Sequence, residues 1–413
     1  MIFEEFYSTL RRMILSYKYR LKPNSAQMQM LEEQFNLSRF AYNTLLGYCL
    51  DERKAGRGTP THKSLTYLLP TMKEKTPELT QVYAQVLQNI AKRVRSGFEN
   101  YWARQRAGLK ASTPHFVGRG DYKSITYPQS GFRGGFSLKG GFLRLSKIGD
   151  VKIILHRPIE GNIKTLTVKR EPSSKWYAIF SCDVEDKTIE GRLPAVGVDF
   201  GLKSVVALSD GTTIEAPQFY RKSEQRLGRL QRIHSKRKLR SRNREKARIR
   251  VAKLSEKVSN QRRDFLNKIA RSIVNKYERV YIEDLETANM VRNKHLSKSI
   301  GDAGWRILRH SLTYMAQRSL GVTVCISPYN STQECSGCGA MNKMELGDRT
   351  YHCSECGLTL DRDVNAARII LKRGLEIGLE RPEYTPVGDS ASTEETMRQA
   401  GLMNQEATQQ VGW

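Results

Sequence analysis

Long apolar runs are missing from the chain. Lys, Arg, Asp or Glu interrupts every stretch before it reaches the roughly 20 residues a bilayer-spanning helix needs, and Met1 to Arg20 carries Glu4, Glu5, Arg11 and Arg12 where a secretory leader would need an apolar core. The expectation is a soluble, cytoplasmic, nucleoid-associated protein with no membrane partner. Cysteine is scarce and odd in number, seven in 413 residues. That excludes a disulfide framework and leaves Cys49, Cys182 and Cys325 as expected buried, inert thiols. No Gly-rich phosphate loop ending in Lys, no GxGxxG in a fitting context and no Ser-His-Asp order is present, so the usual carriers of nucleotide binding and serine hydrolysis are absent.

Negative charge is also short, 42 Asp and Glu against 69 Lys and Arg, for a net +27 that calls for an anionic partner. The length and a 39% hydrophobic content suit two or three domains with real cores. The surplus is uneven. Leu379 to Trp413 is net −4 and lacks hydrophobic periodicity, so it reads as a disordered acidic tail and leaves +31 on residues 1–378. Arg221 to Arg263 holds 18 Lys and Arg against three Glu, with Leu227, Leu230, Ile233, Leu239, Ile249, Leu254 and Val258 at loose helical spacing. This predicts a long basic helical pair. So concentrated a charge would repel itself in a free helix, which favours contact with a polyphosphate, through Lys236, Arg237, Lys238, Arg240, Arg242 and Arg244 at its densest point.

Elsewhere the chain divides by period. Leu15 to Leu21 reads as a strand, stopped by Pro23 and Asn24. Ser25 to Leu50 is a helix with Leu31, Phe35, Phe40, Leu45 and Leu46 as its apolar positions, and further helix is expected across Val82 to Arg106. From Asp121 the pattern turns to short alternating runs punctuated by glycine: Gly131 to Phe142, Val151 to Leu155, Thr165 to Lys169 and Trp176 to Val184. These predict an antiparallel barrel or sheet, with the helices inserted if Leu15–Leu21 joins it. Tyr67, Tyr101, Trp102, Phe116, Tyr122 and Tyr127 interleave with cations, a composition suited to base stacking as well as to an ordinary core.

The C-terminal half carries the chemistry. Val196 to Gly211 reads as a strand ending at Asp199, a turn, a second strand and a Ser-Asp-Gly hairpin turn. Asp264 to Tyr277 is an amphipathic helix leading into a strand that closes on Glu283. After helix Trp305 to Leu320 and strand Val322 to Ser327, Asp361-Arg362-Asp363 opens an apolar helix. A strand-end Asp also fits a turn cap, and an Asp before a helix fits an N-cap. Together, however, carboxylates at the ends of three elements make a cage for divalent metal, Mg²⁺ above all. Two such ions ~3.5–4 Å apart would activate water and stabilise the leaving oxygen of a phosphodiester.

The most specific signal is the repeat CSxCG, at Cys335–Gly339 and again at Cys353–Gly357, with fourteen residues between the pairs. Each glycine supplies the left-handed residue a knuckle requires. Cys335, Cys338, Cys353 and Cys356 complete a closed Cys₄ site for one structural Zn²⁺.

GVDFGLK, YIEDL and two knuckles running into LDRDVNAA, in that order, resemble the TnpB proteins of insertion sequences, relatives of the type V CRISPR effectors. The resemblance spans the whole chain. It implies an α+β multidomain protein: a first strand of a β-barrel wedge domain at 1–22, an inserted helical recognition domain at 23–118, the wedge barrel at 119–192, an RNase H-like (RuvC) α/β nuclease domain at 193–330 resuming at 359–378, an inserted zinc ribbon at 331–358, and the tail at 379–413. It implies a monomeric ribonucleoprotein in which a guide RNA from the transposon end directs cutting of double-stranded target DNA beside a short adjacent motif. Carried over residue by residue, it makes Asp199, Glu283 and Asp363 the catalytic ligands of two Mg²⁺ or Mn²⁺ ions, and leaves neighbouring Asp361 open as a cap, a support or the alternative ligand to Asp363. A nuclease-inactive RNA-guided repressor is the first alternative, and the three intact carboxylates weigh against it; a transposase accessory protein is the second. The sequence departs from the family pattern at Asn330-Ser331-Thr332-Gln333 and in an extension before Met13-Ile14-Leu15, which is closer to the family's usual start.

Overall fold

The computed structural model describes residues 12–131, 134–185, 189–285, 297–345 and 348–377. The acidic tail and nearly all of the extension before Met13 lie outside the described residues. The chain divides into two compact units, one spanning residues 14–184 and the other beginning at Glu185.

In the first unit β1 (Arg12–Lys22) is followed by α1 (Ser25–Lys54), α2 (His62–Lys75), a 3₁₀ turn at Pro77–Gln81 and α3 (Ala84–Arg106). Six strands then follow: β2 (Ser124–Tyr127), β3 (Phe136–Lys139), β4 (Phe142–Leu145), β5 (Gly149–Ile154), β6 (Asn162–Arg170) and β7 (Trp176–Glu185). They form one sheet in the order β2-β6-β7-β1-β5-β4-β3. A bridge from Ser130, just past β2, to Phe136, which opens β3, links its two edges into a near-barrel. β1 pairs with β5 in the register Arg20↔Ile154, so the three helices leave and re-enter the sheet. The expected run Gly131–Phe142 is two strands turning through Gly140–Gly141.

α1 begins where Asn24 Oδ1 accepts from Gln27 N (2.8 Å) and Gln27 returns a bond to Asn24 N (3.1 Å), a capping box that satisfies two otherwise orphaned donors. Leu31, Phe35, Leu45 and Leu46 face the core, whereas Phe40 points to solvent. α2 lies in a stretch whose internal Pro70 breaks the helical signal, yet Thr61 caps it and Leu65 and Leu69 are buried. Of the aromatics expected to stack on bases, Tyr127 is wholly buried and donates to Gln34 (3.3 Å), and Tyr122 is buried beside Arg93. Both are core; Tyr67 and Phe116 are the exposed ones. Arg93, on α3, also binds Ser124 O (3.0 Å) and Thr126 Oγ1 (2.7 Å), fastening the helices to β2. Cys49 and Cys182 are buried, and burial pushes both thiols up to about 11.

The second unit contains β8 (Leu193–Asp199), β9 (Ser204–Leu208), β10 (Thr213–Glu215), α4 (Phe219–Ser235), α5 (Arg242–Lys276), β11 (Tyr277–Glu283), α6 (Ser297–Ala303), α7 (Trp305–Arg318) and β12 (Val322–Ile326). A small β13 (Thr350–His352) and β14 (Thr359–Asp361) pair follows, and then α8 (Arg362–Glu376). The five-stranded sheet has the order β10-β9-β8-β11-β12. β8 pairs antiparallel with β9 and parallel with β11, which is parallel to β12. α5, α6 and α7 cover one face, where Val196, Val198, Val280 and Ile282 are buried with Leu266, Ile273, Trp305 and Leu308. α8 covers the other, packing Ile370 and Leu371 against Tyr281 and Ile326.

α5 is one helix of 35 residues, not a basic helix followed by a separate amphipathic one. No Gly or Pro interrupts it, and its apolar stripe runs on through Val258, Leu266, Ile269 and Ile273. Leu239 lies outside both helices, 73% exposed in the turn between α4 and α5. Cys325, on edge strand β12, is exposed and not buried.

Candidate active site

Strand periodicity places the first two carboxylates. In β8, Val196 and Val198 point to the α5/α7 face, so Ala195, Gly197 and Asp199 point to the face covered by α8. Gly197 shows how closely α8 lies there: a Cβ on it would come 2.0 Å from Ala367 O and 2.7 Å from Leu371 N, so only glycine fits. In β11 the same alternation sends Val280 and Ile282 to one side and Tyr281 and Glu283 to the other. Ile282 is level with Val198 in the parallel pairing, which sets Glu283 beside Asp199 at the carboxyl ends of neighbouring strands, where α/β sheets bind ligands.

α8 brings the third. Asp361 is its N-cap, accepting from Asp363 N (2.9 Å) and Val364 N (3.2 Å). Asp363, in the first turn, faces the sheet: a Cβ on Gly201, two residues beyond Asp199, would sit 3.4 Å from Asp363 Oδ2. Asp199, Glu283 and Asp363 are 6%, 6% and 8% exposed. Burial, with Glu283 and Asp363 as charged neighbours, holds the Asp199 carboxyl well above the usual carboxylate range. Burial and Asp363 likewise raise Glu283, although hydrogen bonds from Ser331 and Asp199 oppose this.

Several residues that the sequence did not single out as site residues complete the surroundings. Trp305 Nε1 donates to Gly201 O (3.1 Å) and fixes the turn after Asp199. Arg349 and Arg362 lie 3.8 Å and 3.4 Å from Asp363 oxygens. Asn365, fully buried, donates to Glu334 O (2.7 Å) and accepts from Ser336 N (2.9 Å), gripping the chain on both sides of Cys335. An amide is a poor choice inside the first turns of a helix, and that misfit at Asn365 was the available signal.

The knuckles meet as their spacing requires. The four Sγ atoms all lie within 4.8 Å of one another, with Cys335–Cys356 at 3.6 Å and Cys338–Cys353 at 3.5 Å. A tetrahedron with Zn–S bonds of ~2.3 Å has S–S edges of ~3.8 Å, so the thiols fit structural zinc. Gly339 and Gly357 take φ of +80° and +71°, the left-handed turn expected of each. Among the described residues this is the one such tight group of His, Cys, Asp and Glu.

Of the basic residues predicted to meet phosphate, Lys236, Arg237, Lys238, Arg240 and Arg242 are exposed around the α4–α5 turn. Arg244 is occupied differently. Its Nη1 donates to His234 O (3.4 Å), Ser235 O (3.4 Å) and Arg237 O (2.9 Å), closing the turn at the end of α4.

Three family models match the chain: "Helix-turn-helix domain" over residues 13–58, "Probable transposase" over 180–294, and "Cas12f1-like, TNB domain" over 305–370. The first region folds here as β1 and the single helix α1. A Streptomyces pristinaespiralis protein named "Putative RNA-guided DNA endonuclease" is 31% identical over 389 residues, covering 92% of this chain and 94% of the relative. InsQ of Escherichia coli K12, with the same description, is 28% identical over 87% of this chain and 92% of its own length. A solved chain from a Cas12f1–sgRNA–target DNA complex superposes with a TM-score of 0.53 at 16% identity, covering 84% of this chain and 82% of that one, a likeness of fold. With the carboxylates and knuckles in the expected order and a relative of this identity matched nearly end to end, the chain belongs to the TnpB family.

Proposed function

We propose that the chain is an RNA-guided DNA endonuclease of an insertion sequence, acting as a monomeric ribonucleoprotein that cuts double-stranded DNA beside a short adjacent motif. The observation that carries the reading is the convergence of Asp199, Glu283 and Asp363, from β8, β11 and α8, at one end of a sheet. Each buried charge costs several kcal/mol, whereas a capping bond returns only ~1 kcal/mol. Stability alone gives no reason to bury three carboxylates together, and ligand chemistry does. The strand order, three antiparallel strands followed by two parallel ones, supports the RuvC-like nuclease domain, and the near-barrel with inserted helices supports the wedge and recognition domains.

Asp199, Glu283 and Asp363 offer the oxygen donors that Mg²⁺ or Mn²⁺ prefers, and their mutual repulsion is what a divalent ion relieves. When bound, such ions supply Lewis-acid activation of water and stabilisation of the leaving 3′ oxygen. The chain's own part is to hold the three carboxylates on rigid elements, with Arg349 and Arg362 beside Asp363 and Trp305 beside the Asp199 turn. The exposed cations around the α4–α5 turn face phosphate, and the homologous endonucleases and the Cas12f1 complex supply the precedent for RNA and DNA as the polyanions.

The test is cleavage of a DNA library matched to the variable end of the RNA that co-purifies with the protein. Asp199→Ala, Glu283→Ala and Asp363→Ala should each abolish cleavage and leave RNA and DNA binding within about twofold; full cleavage by the three variants refutes the assignment.

A further inference from the structure

Ser331 sits in the segment the sequence marked as departing from its family, between β12 and the first knuckle. It is 2% exposed, and its Oγ lies 3.1 Å from Glu283 Oε1 and 3.1 Å from Pro328 O. One hydroxyl proton can serve only one of these acceptors at a time. An ionised carboxylate is the stronger acceptor, so in the charged state of the site the proton goes to Glu283. The segment itself is built onto α8, the helix that carries Asp363. Arg373 donates to Ser327 O (3.3 Å) and Tyr329 O (2.6 Å) and pairs with Glu334 (2.5 Å), and Asn365 takes Glu334 O (2.7 Å). Inside that frame the backbone folds tightly, with Gln333 N and Glu334 N both bonded to Asn330 O (3.0 and 3.1 Å) and Asn330 at φ +56°. The hydroxyl is therefore delivered to Glu283 from a fixed scaffold.

We infer that Ser331 is a positioning residue for Glu283: it holds one carboxylate oxygen and so fixes the side chain that would ligate a divalent ion, so the link between β12 and the first knuckle takes part in building the metal site. The inference rests on the metal-binding reading of the three carboxylates. A donor that orients a ligating carboxylate in this way is typically worth 10–100-fold in affinity.

The test is Mn²⁺ binding to the full-length chain, followed by the electron paramagnetic resonance signal of the free ion, together with zinc content by elemental analysis. The carboxylate site is the binding that Asp199→Ala removes from the parent. Ser331→Ala should weaken that site about tenfold with zinc unchanged at one per chain, and Ser331→Thr, which keeps the hydroxyl, should restore it. Unchanged Mn²⁺ affinity in Ser331→Ala overturns the inference and leaves the metal reading standing. So does loss of zinc in Ser331→Ala, which would make the residue a ribbon-folding one. Identical titrations of parent and Asp199→Ala refute the metal reading itself and the inference with it.

Discussion

At Asp361 and Asp363, two carboxylates separated by a single residue meet different neighbours. Asp361 takes the backbone N–H groups of Asp363 and Val364, while Asp363 is buried toward the sheet between two guanidinium groups. Asp361→Ala should therefore cost ~1 kcal/mol of stability, as lost caps do, and keep cleavage, whereas Asp363→Ala should lose cleavage with its fold intact. Thermal melts beside nuclease assays separate the two. Asp210 gives a pH signature. Partial burial would lift its carboxyl, but bonds from Lys276 Nζ (2.8 Å), Tyr277 OH (2.6 Å) and Thr212 N (2.9 Å) outweigh this and hold it below the usual carboxylate range. A depressed folded pKa adds stability above the unfolded value near 4 and loses it as pH falls through the folded one. Asp210→Asn should thus be less stable than the parent by about 1–2 kcal/mol at neutral pH, with the gap closing below pH 4 in denaturant titrations. The meeting of Cys335, Cys338, Cys353 and Cys356 was legible because cysteine is scarce and the spacing of the two pairs is strict. Ser331 was not, because a buried hydroxyl is recognised only once its partner from a distant element is known, and Asn365 showed only as a misfit in its helix.

Among the elements, β8 and α8 depend on one close approach more than on any run of residues. Gly197→Ala would drive a methyl into the α8 backbone at Ala367, and overpacking of this kind costs about 1–3 kcal/mol. Because α8 carries Asp363, the variant should also lose activity out of proportion to its loss of stability, measured as melting temperature beside cleavage rate. The α4–α5 hairpin holds its cations in two settings, exposed around the turn or bonded to its backbone. Replacing Lys236, Arg237, Lys238, Arg240 or Arg242 by Ala should lower the slope of log affinity against log salt by ~0.9 for each duplex DNA phosphate that is no longer neutralised. Arg244→Ala should change that slope less than the exposed cations do and destabilise the hairpin, since its Nη1 is engaged by three backbone carbonyls. Long elements with a clear period, α1, α3, β7 and β11, were readable in advance. α2 was not, because Pro70 masks a helix held by tertiary burial, and the join inside α5 was misread because its charge composition changes midway while its backbone does not.

For the whole molecule, internal ion pairs such as Arg262–Asp302 and Arg373–Glu334 are neutral, so they leave the net +27 to the remaining cations. The Cys₄ site is a separate support. Changing Cys335 and Cys338 together to Ser should release zinc, seen by elemental analysis, and lower the melting temperature, because structural zinc contributes its binding energy to folding. The division into a helix-bearing sheet and an α/β unit was visible in the change of hydrophobic period near Asp121 and again at Ala195. The order of strands was not, because period says nothing about which neighbour a strand chooses. That order has a consequence for synthesis. β1 occupies an interior place between β7 and β5, and both partners are made more than a hundred residues later. At ~5–20 residues per second of translation, the strand leaves the ribosome several seconds to about half a minute before it can be paired. During that interval its row of Leu15, Tyr17, Tyr19 and Leu21 is an unsheltered β-edge, the stretch of this chain that a nascent-chain chaperone has most reason to cover.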